Sequence, residues 1–130
     1  MNSPVNADFR IAVIEDEPAI RELYQTKFGL EGFKVATATN GIEGLELAER
    51  WQPHVLLLDI RMPEMNGDEM LLKLRGEDWG ADMRVVVLTN ISRDEAPSVL
   101  RFLAVDRYVV KAHYTPTQVV DVVRDVLHIK

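Results

Sequence analysis

The residues best suited to chemistry are acidic, and they directly follow two apolar runs of the chain. They are Glu15, Asp16 and Glu17 after the first run, and Asp59 after a later one. Carboxylates brought close together repel one another and tend to stay protonated unless a positive charge compensates them. Mg²⁺ supplies such a charge, since it prefers oxygen ligands and is held by one or two carboxylates, waters and phosphate oxygens. One of the carboxylates could then attack phosphorus as a nucleophile and form an aspartyl phosphate.

A hydroxyl and an amine follow two further apolar runs. Thr89 ends one of these runs and Lys111 ends the other. Lys111, together with a cation, would neutralise charge on a transferred phosphoryl group, and the Thr89 hydroxyl could donate to one of its oxygens. Taken alone, Thr89 is an ordinary strand residue and Lys111 an ordinary surface lysine. Their meaning therefore depends on whether the fold places them beside the acids.

Short apolar runs predict the strands that must position these side chains. The runs are Phe9 to Ile14, a weaker one at Phe33 to Ala36, Val55 to Leu58, Val85 to Leu88, and Tyr108 to Val110. They do not alternate with polar residues, as a strand with one wet face would. Such runs are typical of strands that are covered on both faces.

Stretches with helical signals separate the strands. They are Pro18 to Phe28, Asn40 to Arg50, Gly67 to Arg75, and a final stretch that begins at Thr115. The last has the strongest start, because Thr115 is a cap, Pro116 a first-turn proline and Gln118 a capping-box partner. The alternation predicts an α/β fold: an open, mostly parallel sheet with helices on both faces. The carboxyl ends of its strands meet at one edge, where the acids, the hydroxyl and the amine should lie together.

The connection between the fourth and fifth strands is harder to predict. Ser92 and Glu95 fit a capping box. Pro97 would then lie inside the first turns, where it removes a hydrogen bond and disfavours a helical Ala96. The sequence therefore leaves a helix beginning at Ser92, or near Pro97, as alternatives.

Length and composition predict a single small domain. The 130 residues can form one core, which we place at residues 9–130 after a flexible N-terminal tail of residues 1–8. The formal net charge of -6 argues against direct contact with nucleic acid or an anionic membrane. The sequence has no cysteine, no apolar run that could span a bilayer and no signal-peptide pattern. The expected location is the cytoplasm.

Two motifs and three single residues carry a family resemblance. Residues 11–18 read IAVIEDEP and residues 59–67 read DIRMPEMNG, followed by Thr89, Tyr108 and Lys111 at matching places. This combination resembles the response-regulator receiver domains of two-component signalling, over about residues 9–129. The likeness is to free-standing, chemotaxis-regulator-like receivers. It implies a flavodoxin-like, five-stranded parallel sheet with strand order 2-1-3-4-5.

The resemblance implies a role for each matching position. Asp59 would be the phosphoacceptor, with Lys111 paired to it or to its phosphate. Mg²⁺, or another divalent cation such as Mn²⁺, would be held by Asp16 and Asp59 directly. Glu15 would act through a water, and the backbone carbonyl of Arg61 would complete the protein ligands. Thr89 and Tyr108 would be the switch residues, altering a surface near the fourth helix and the fifth strand.

The implied function is phosphorelay signalling. The phosphoryl donor would be a histidine kinase or a phosphotransfer protein, and the output a changed contact with a downstream protein. Such a domain is not an enzyme in the usual sense, since it catalyses only its own phosphorylation and dephosphorylation. It would be a monomer or a phosphorylation-dependent dimer. Asn90, Pro97, Ala104 and Ala112 depart from the commoner pattern.

Three alternatives use related chemistry or the same topology. A flavin-binding electron carrier would need a glycine- and hydroxyl-rich phosphate loop, where this chain has three acids. A phosphohydrolase with an aspartate nucleophile resembles a pattern with a second Asp two residues later, and here that residue is Arg61. A receiver that binds partners without phosphorylation would be indicated by loss of an acidic or lysine position, and none is lost.

Overall fold

Five parallel strands form one sheet in the order β2-β1-β3-β4-β5 in a computed structural model, which describes residues 4–129. The strands are β1 (Arg10–Ile14), β2 (Lys34–Ala38), β3 (Val55–Leu58), β4 (Arg84–Thr89) and β5 (Arg107–Val110). The α-helices are α1 (Pro18–Leu30), α2 (Gly41–Trp51), α3 (Gly67–Arg75) and α4 (Pro116–Val126). The predicted α/β fold and strand order are confirmed. No helix among residues 4–129 is long and apolar enough to cross a membrane.

The sheet is buried on both faces, and this explains the unbroken apolar runs. In β1, Ile11 and Val13 pack on one face with α1 and α4, while Ala12 and Ile14 pack on the other with α2 and α3. All four side chains are at most 1% exposed. Strand order reverses at β1, which pairs with β2 on one side and β3 on the other. Ligands of such sheets bind beyond the carboxyl ends of the strands at this reversal.

Two helix starts show how far the capping predictions hold. The Thr115 hydroxyl accepts from the Gln118 amide, and the Gln118 side chain accepts from the Thr115 amide, so this capping box is complete. Asn40 also accepts from the Glu43 amide. The Glu43 carboxylate instead accepts from the amide and hydroxyl of Thr39. Asn40 therefore caps the second helix, and Glu43 in its first turn holds the preceding residue Thr39.

The connection from β4 to β5, which we call the crossover segment (residues 90–106), contains no α-helix. Two short 3-10 helices, Arg93–Glu95 and Ser98–Phe102, take the place of the predicted fourth helix. Each alternative start lies directly before one of these 3-10 helices, at Ser92 and at Pro97, but the predicted α-helix is absent. The residue before Pro97 is extended, with φ -66° and ψ 148°, because proline disfavours a helical residue before it. The Ser92 hydroxyl donates to the Glu95 carboxylate, and it makes no cap.

Part of the predicted N-terminal tail has regular structure. Residues 4–8 form a 3-10 helix, and residues 1–3 lie outside the described residues. Asn6 is fully buried and donates its side-chain amide to the carbonyl of Glu31 at the end of α1. This contact between distant residues is a tertiary one, so composition alone does not reveal it.

Arg75, the last residue of α3, joins two loops at one end of the crossover segment. Its guanidinium donates to the carbonyls of Gly80 and Met83, just before β4, at 2.9 and 2.7 Å. It also donates to the carbonyls of Leu103 and Ala104 at 2.8 and 2.9 Å. Ala104 has a φ of 52°, in the left-handed region that disfavours side chains with a Cβ. The guanidinium therefore supports a strained end of the segment.

We predict that Arg75→Met lowers the free energy of unfolding by about 3 kcal/mol, because several carbonyls lose charge-assisted hydrogen bonds. Chemical denaturation measures the change. Arg101→Met is the matched control, since Arg101 is exposed and should alter stability by no more than about 0.5 kcal/mol. Equal losses in both variants would contradict the bonding role of Arg75.

A histidine at the opposite edge of the sheet makes the stability depend on pH. The His54 Nδ1 accepts from the backbone amide of Arg10 at 2.9 Å. Burial, with the charges of Arg10 and Arg84, lowers the pKa of His54 from its ordinary 6.5. The unfolded chain therefore takes up a proton at a higher pH than the folded protein does. The contribution of neutral His54 to the free energy of unfolding is fully present above about pH 6.5. It is lost as the pH falls through the folded-state pKa of His54.

We predict that His54→Asn, whose amide oxygen can still accept from Arg10, weakens this pH dependence. Denaturation at several values between pH 7 and pH 5 should show a smaller fall in stability for the variant than for the unaltered protein. His113→Asn, at an exposed position, is the control and should retain the full slope. Parallel slopes for His54→Asn and the unaltered protein would show that His54 does not titrate with folding.

Candidate functional site

Three carboxylates meet at the carboxyl edge of the sheet, as the sequence predicts. Glu15 and Asp16 follow β1, and Asp59 follows β3, the strand paired with it. One carboxylate oxygen from each residue lies within 4.8 Å of the others. Glu15 and Asp59 are only 3% and 8% exposed. This edge therefore holds buried negative charge, which a fold retains only when something compensates it.

Lys111 supplies part of that compensation from the end of β5. Its ammonium forms an ion pair with Glu15 and lies 3.3 Å from Asp59 Oδ2. The predicted pairing with Asp59 is present, and the contact with Glu15 is closer. Both partners are well shielded from water, with the Lys111 side chain 10% exposed and that of Asp59 11% exposed. The charges therefore interact more strongly than surface pairs do.

The pKa values of two of these groups reflect burial and pairing together. Burial raises the pKa of Glu15 above 4.5, although its hydrogen bonds with Lys111 and the Glu17 amide act in the opposite direction. Burial alone would lower the pKa of Lys111. The hydrogen bond with Glu15 and the charge of Asp59 outweigh it and raise that pKa above 10.5. Lys111 therefore stays a cation through the neutral pH range.

The loop after β3 fixes Asp59 through close backbone packing. Asp59 Oδ1 accepts from the amide of Ile60 at 2.7 Å, while the Gly67 amide donates to the Ile60 carbonyl at 2.7 Å. A Cβ at Gly67 would lie 2.0 Å from the Asp59 carbonyl oxygen, so only glycine fits there. Asn66 also accepts from the amide of Met62. The DIRMPEMNG motif thus folds back on its own aspartate.

Asp16 differs from the other two acids. Glu15 is bonded to Lys111 and the Glu17 amide, and Asp59 to Lys111 and the Ile60 amide. Within residues 4–129, the Asp16 carboxylate makes no hydrogen bond or ion pair, and it is only partly buried. Its oxygens are therefore available to a cation. Three clustered carboxylates with one available member suit a hard divalent ion such as Mg²⁺.

A cavity of about 330 Å³ opens beside the acids. Asp16, Asp59, Arg61, Thr89 and Lys111, all predicted from the sequence, line it. Its other lining residues are Glu17, Asn90, Ile91, Ser92 and Glu95. Ser92 and Glu95 were not predicted as cavity residues. Ser92 could have been inferred from its closeness to Thr89 in the chain, but Glu95 enters only through the turn of the 3-10 helix.

The two predicted switch residues lie on either side of Ile91. Thr89 is 1% exposed, and its Oγ1 accepts from the Ile91 amide at 3.4 Å. The Tyr108 hydroxyl donates to the Ile91 carbonyl at 2.7 Å. The Arg93 guanidinium lies 5.6 Å from the centroid of the Tyr108 ring, a contact the sequence did not indicate. Tyr108 lines a second groove of about 570 Å³ rather than the first cavity.

Comparisons with known proteins agree with this geometry. The family described as "Response regulator receiver domain" matches residues 11–124. The probable transcriptional regulator ycf27 of Porphyridium aerugineum is 31% identical over 91% of this chain and 48% of its own length. The regulatory protein AtoC of Escherichia coli is 38% identical over 78% of this chain and 22% of its own length.

Solved structures show the same fold. The chemotaxis response regulator CheY4 of Vibrio cholerae has a TM-score of 0.83 at 22% identity, covering 91% of this chain and 98% of that chain. The chain therefore belongs to the response-regulator receiver domain family of two-component signalling. It spans about half, or less, of the length of the curated relatives named above.

We predict that Asp59→Asn stabilises the metal-free protein by about 1 kcal/mol. The change removes one of three carboxylates that repel one another, while Lys111 keeps its ion pair with Glu15. The same change should shrink the stabilisation that Mg²⁺ gives, since the ion loses a ligand. Thermal unfolding in chelator and in Mg²⁺ measures both effects. Exposed Asp78→Asn serves as the charge-matched control and should leave both unchanged. A destabilised Asp59→Asn protein in chelator would show that pairing with Lys111 outweighs repulsion.

Proposed function

We propose that this chain accepts a phosphoryl group on Asp59 from a histidine kinase or a phosphotransfer protein. The observation that carries the proposal is the clustering of Asp59 with the Glu15 and Asp16 carboxylates and with Lys111, beside a cavity that the Thr89 side chain also lines. A structural aspartate would not need a buried lysine and two more acids beside it. Membership of the receiver family supports the same reaction.

The proposed step is a displacement at phosphorus. A carboxylate oxygen of Asp59 attacks the phosphorus of a phosphohistidine, and a new O–P bond forms as the P–N bond breaks. The electron pair of the broken bond goes to the imidazole nitrogen of the donor. Lys111 neutralises charge on the phosphoryl oxygens, and the Thr89 hydroxyl donates to one of them. Hydrolysis of the aspartyl phosphate later returns Asp59 to its starting state.

A divalent cation, Mg²⁺ or Mn²⁺, fits the acids around this reaction. Asp16 and Asp59 would hold it directly, Glu15 through water, and Arg61 through its backbone carbonyl. The cation would neutralise negative charge shared between the phosphoryl group and the acids. The unbonded carboxylate of Asp16 supports this assignment. A carboxylate that is already paired must break a contact to bind an ion, whereas Asp16 has none to break within the described residues.

The proposed output is a change in a protein-binding surface at the crossover segment and β5. Ser92 and Ile91 line the site cavity, while Arg93 and Tyr108 line the groove of about 570 Å³ beside it. One segment therefore borders both spaces, so a phosphoryl group in the cavity can favour a different shape of the groove. A downstream protein that binds one shape better would read the signal.

The remaining parts of the proposal concern the setting of this reaction. The domain acts in the cytoplasm, contacts neither nucleic acid nor membrane itself, and is a monomer or a phosphorylation-dependent dimer. Its catalysis is limited to its own phosphorylation and dephosphorylation. The net charge of -6 supports the absence of direct nucleic-acid contact.

We predict that incubation with a small-molecule phosphodonor and Mg²⁺ adds one phosphoryl group, detected by intact mass. The addition should disappear in chelator and in Asp59→Asn. Hydrogen exchange of the phosphorylated protein should change at the amides of residues 90–106 more than at the amides of α1 and α4, which pack on the other face of the sheet.

Asp78→Asn is again the control and should be phosphorylated like the unaltered protein. If the folded protein gains no phosphoryl group with several donors, the proposal is wrong and a phosphorylation-independent binding module replaces it. A gain that persists in Asp59→Asn would move the acceptor to another residue.

A further inference from the structure

Arg21 holds the backbone of the loop that carries two of the acids. It lies in the first turns of α1, and its amide donates to the Glu17 carbonyl at 2.9 Å. Its Nη1 donates to the carbonyl oxygens of Glu15 and Asp16 at 3.0 and 3.1 Å. One guanidinium nitrogen therefore fixes two consecutive peptide groups of the loop between β1 and α1.

Glu15 and Asp16 differ in how much the positions of their carboxylates depend on the hydrogen bonds from Arg21. The Glu15 carboxylate is kept in place by Lys111 and by the Glu17 amide. The Asp16 carboxylate has no such partner among residues 4–129, so its position follows from its backbone and side-chain torsions. The Asp16 backbone is held by the hydrogen bond to its carbonyl from Arg21, five residues later on the helix that follows the loop. Loss of that bond should affect Asp16 more than Glu15.

Arg21 could affect binding of a cation in two opposite ways, through its charge and through its hold on the loop. A guanidinium close to a divalent ion repels it, so removing the charge alone should tighten binding of the ion. A guanidinium that preorganises a ligand strengthens binding, and removing it should weaken binding. The two effects differ in sign. The direction of the change therefore identifies which role Arg21 has.

We propose that Arg21 is a positioning residue for the cation site, which holds the Glu15 and Asp16 carbonyls so that the Asp16 carboxylate faces the ion. This inference rests on the proposed function, because that function places a divalent cation at these acids. Arg21 itself donates to backbone oxygens and is not a ligand.

The test compares Arg21→Gln, which removes the charge, with Arg21→Lys, which keeps it but loses the planar fork. Mg²⁺ is titrated into each protein by calorimetry, and unfolding in chelator checks that each is folded. Both variants should bind Mg²⁺ about tenfold more weakly than the unaltered protein. Arg50→Gln is the control for charge, because Arg50 is exposed in the last turn of α2, next to the start of β3 at the opposite edge of the sheet.

A second measurement needs no metal. Hydrogen exchange in chelator should be faster at the amides of Asp16 and Glu17 in both Arg21 variants, and unchanged in Arg50→Gln. Tighter Mg²⁺ binding by Arg21→Gln, or unchanged binding by both variants, would overturn the inference while leaving the proposed function intact. If the unaltered protein itself fails to bind Mg²⁺, the proposed cation site is wrong. Unchanged exchange in both variants would then overturn the loop-holding role as well.

Discussion

A buried contact between the Lys111 ammonium and the carboxylates of Glu15 and Asp59 constrains the rest of this structure. The contact joins residues 96 and 52 positions apart in the chain. It can form only if β1, β3 and β5 run parallel and end at the same edge, as the observed strand order makes them do. Burying these groups separately would cost several kcal/mol each, so their joint placement limits how the sheet can be assembled. Of the side chains that are buried and polar in residues 4–129, three belong to this edge: Glu15, Asp59 and Thr89.

Rigid and weakly bonded regions are separated within this small domain. The acids extend from strands whose side chains are nearly all inaccessible to water. The helical bonds of the crossover segment are instead the i→i+3 bonds of short 3-10 helices, which have poorer geometry than α-helical bonds. Arg75 fixes its far end and Tyr108 its near end. Such a segment can change shape without disturbing the sheet, because few regular bonds must break.

Local sequence signals predicted the parts of the fold that depend on local contacts. The bounds of β3 and α3, and the complete capping box at Thr115, follow from patterns only a few residues long. The acidic cluster was predictable because parallel strands end at one edge. The contacts of Arg75 and Arg93 were not, since each depends on which carbonyl or ring the tertiary fold brings within reach. Pro97 signalled the irregular fourth connection, although not that the α-helix would be absent.

The backbone of Ile91 offers a short physical connection between the site and the outer surface. Its amide donates to the Thr89 hydroxyl, and its carbonyl accepts from the Tyr108 hydroxyl. The first bond is long at 3.4 Å and the second short at 2.7 Å, so the peptide is held more firmly from the tyrosine side. Any movement of the Thr89 hydroxyl toward a phosphoryl oxygen would change the weaker bond first. Under the proposed function, the stronger bond would then carry the displacement of Ile91 to the Tyr108 ring and to the Arg93 guanidinium that covers it.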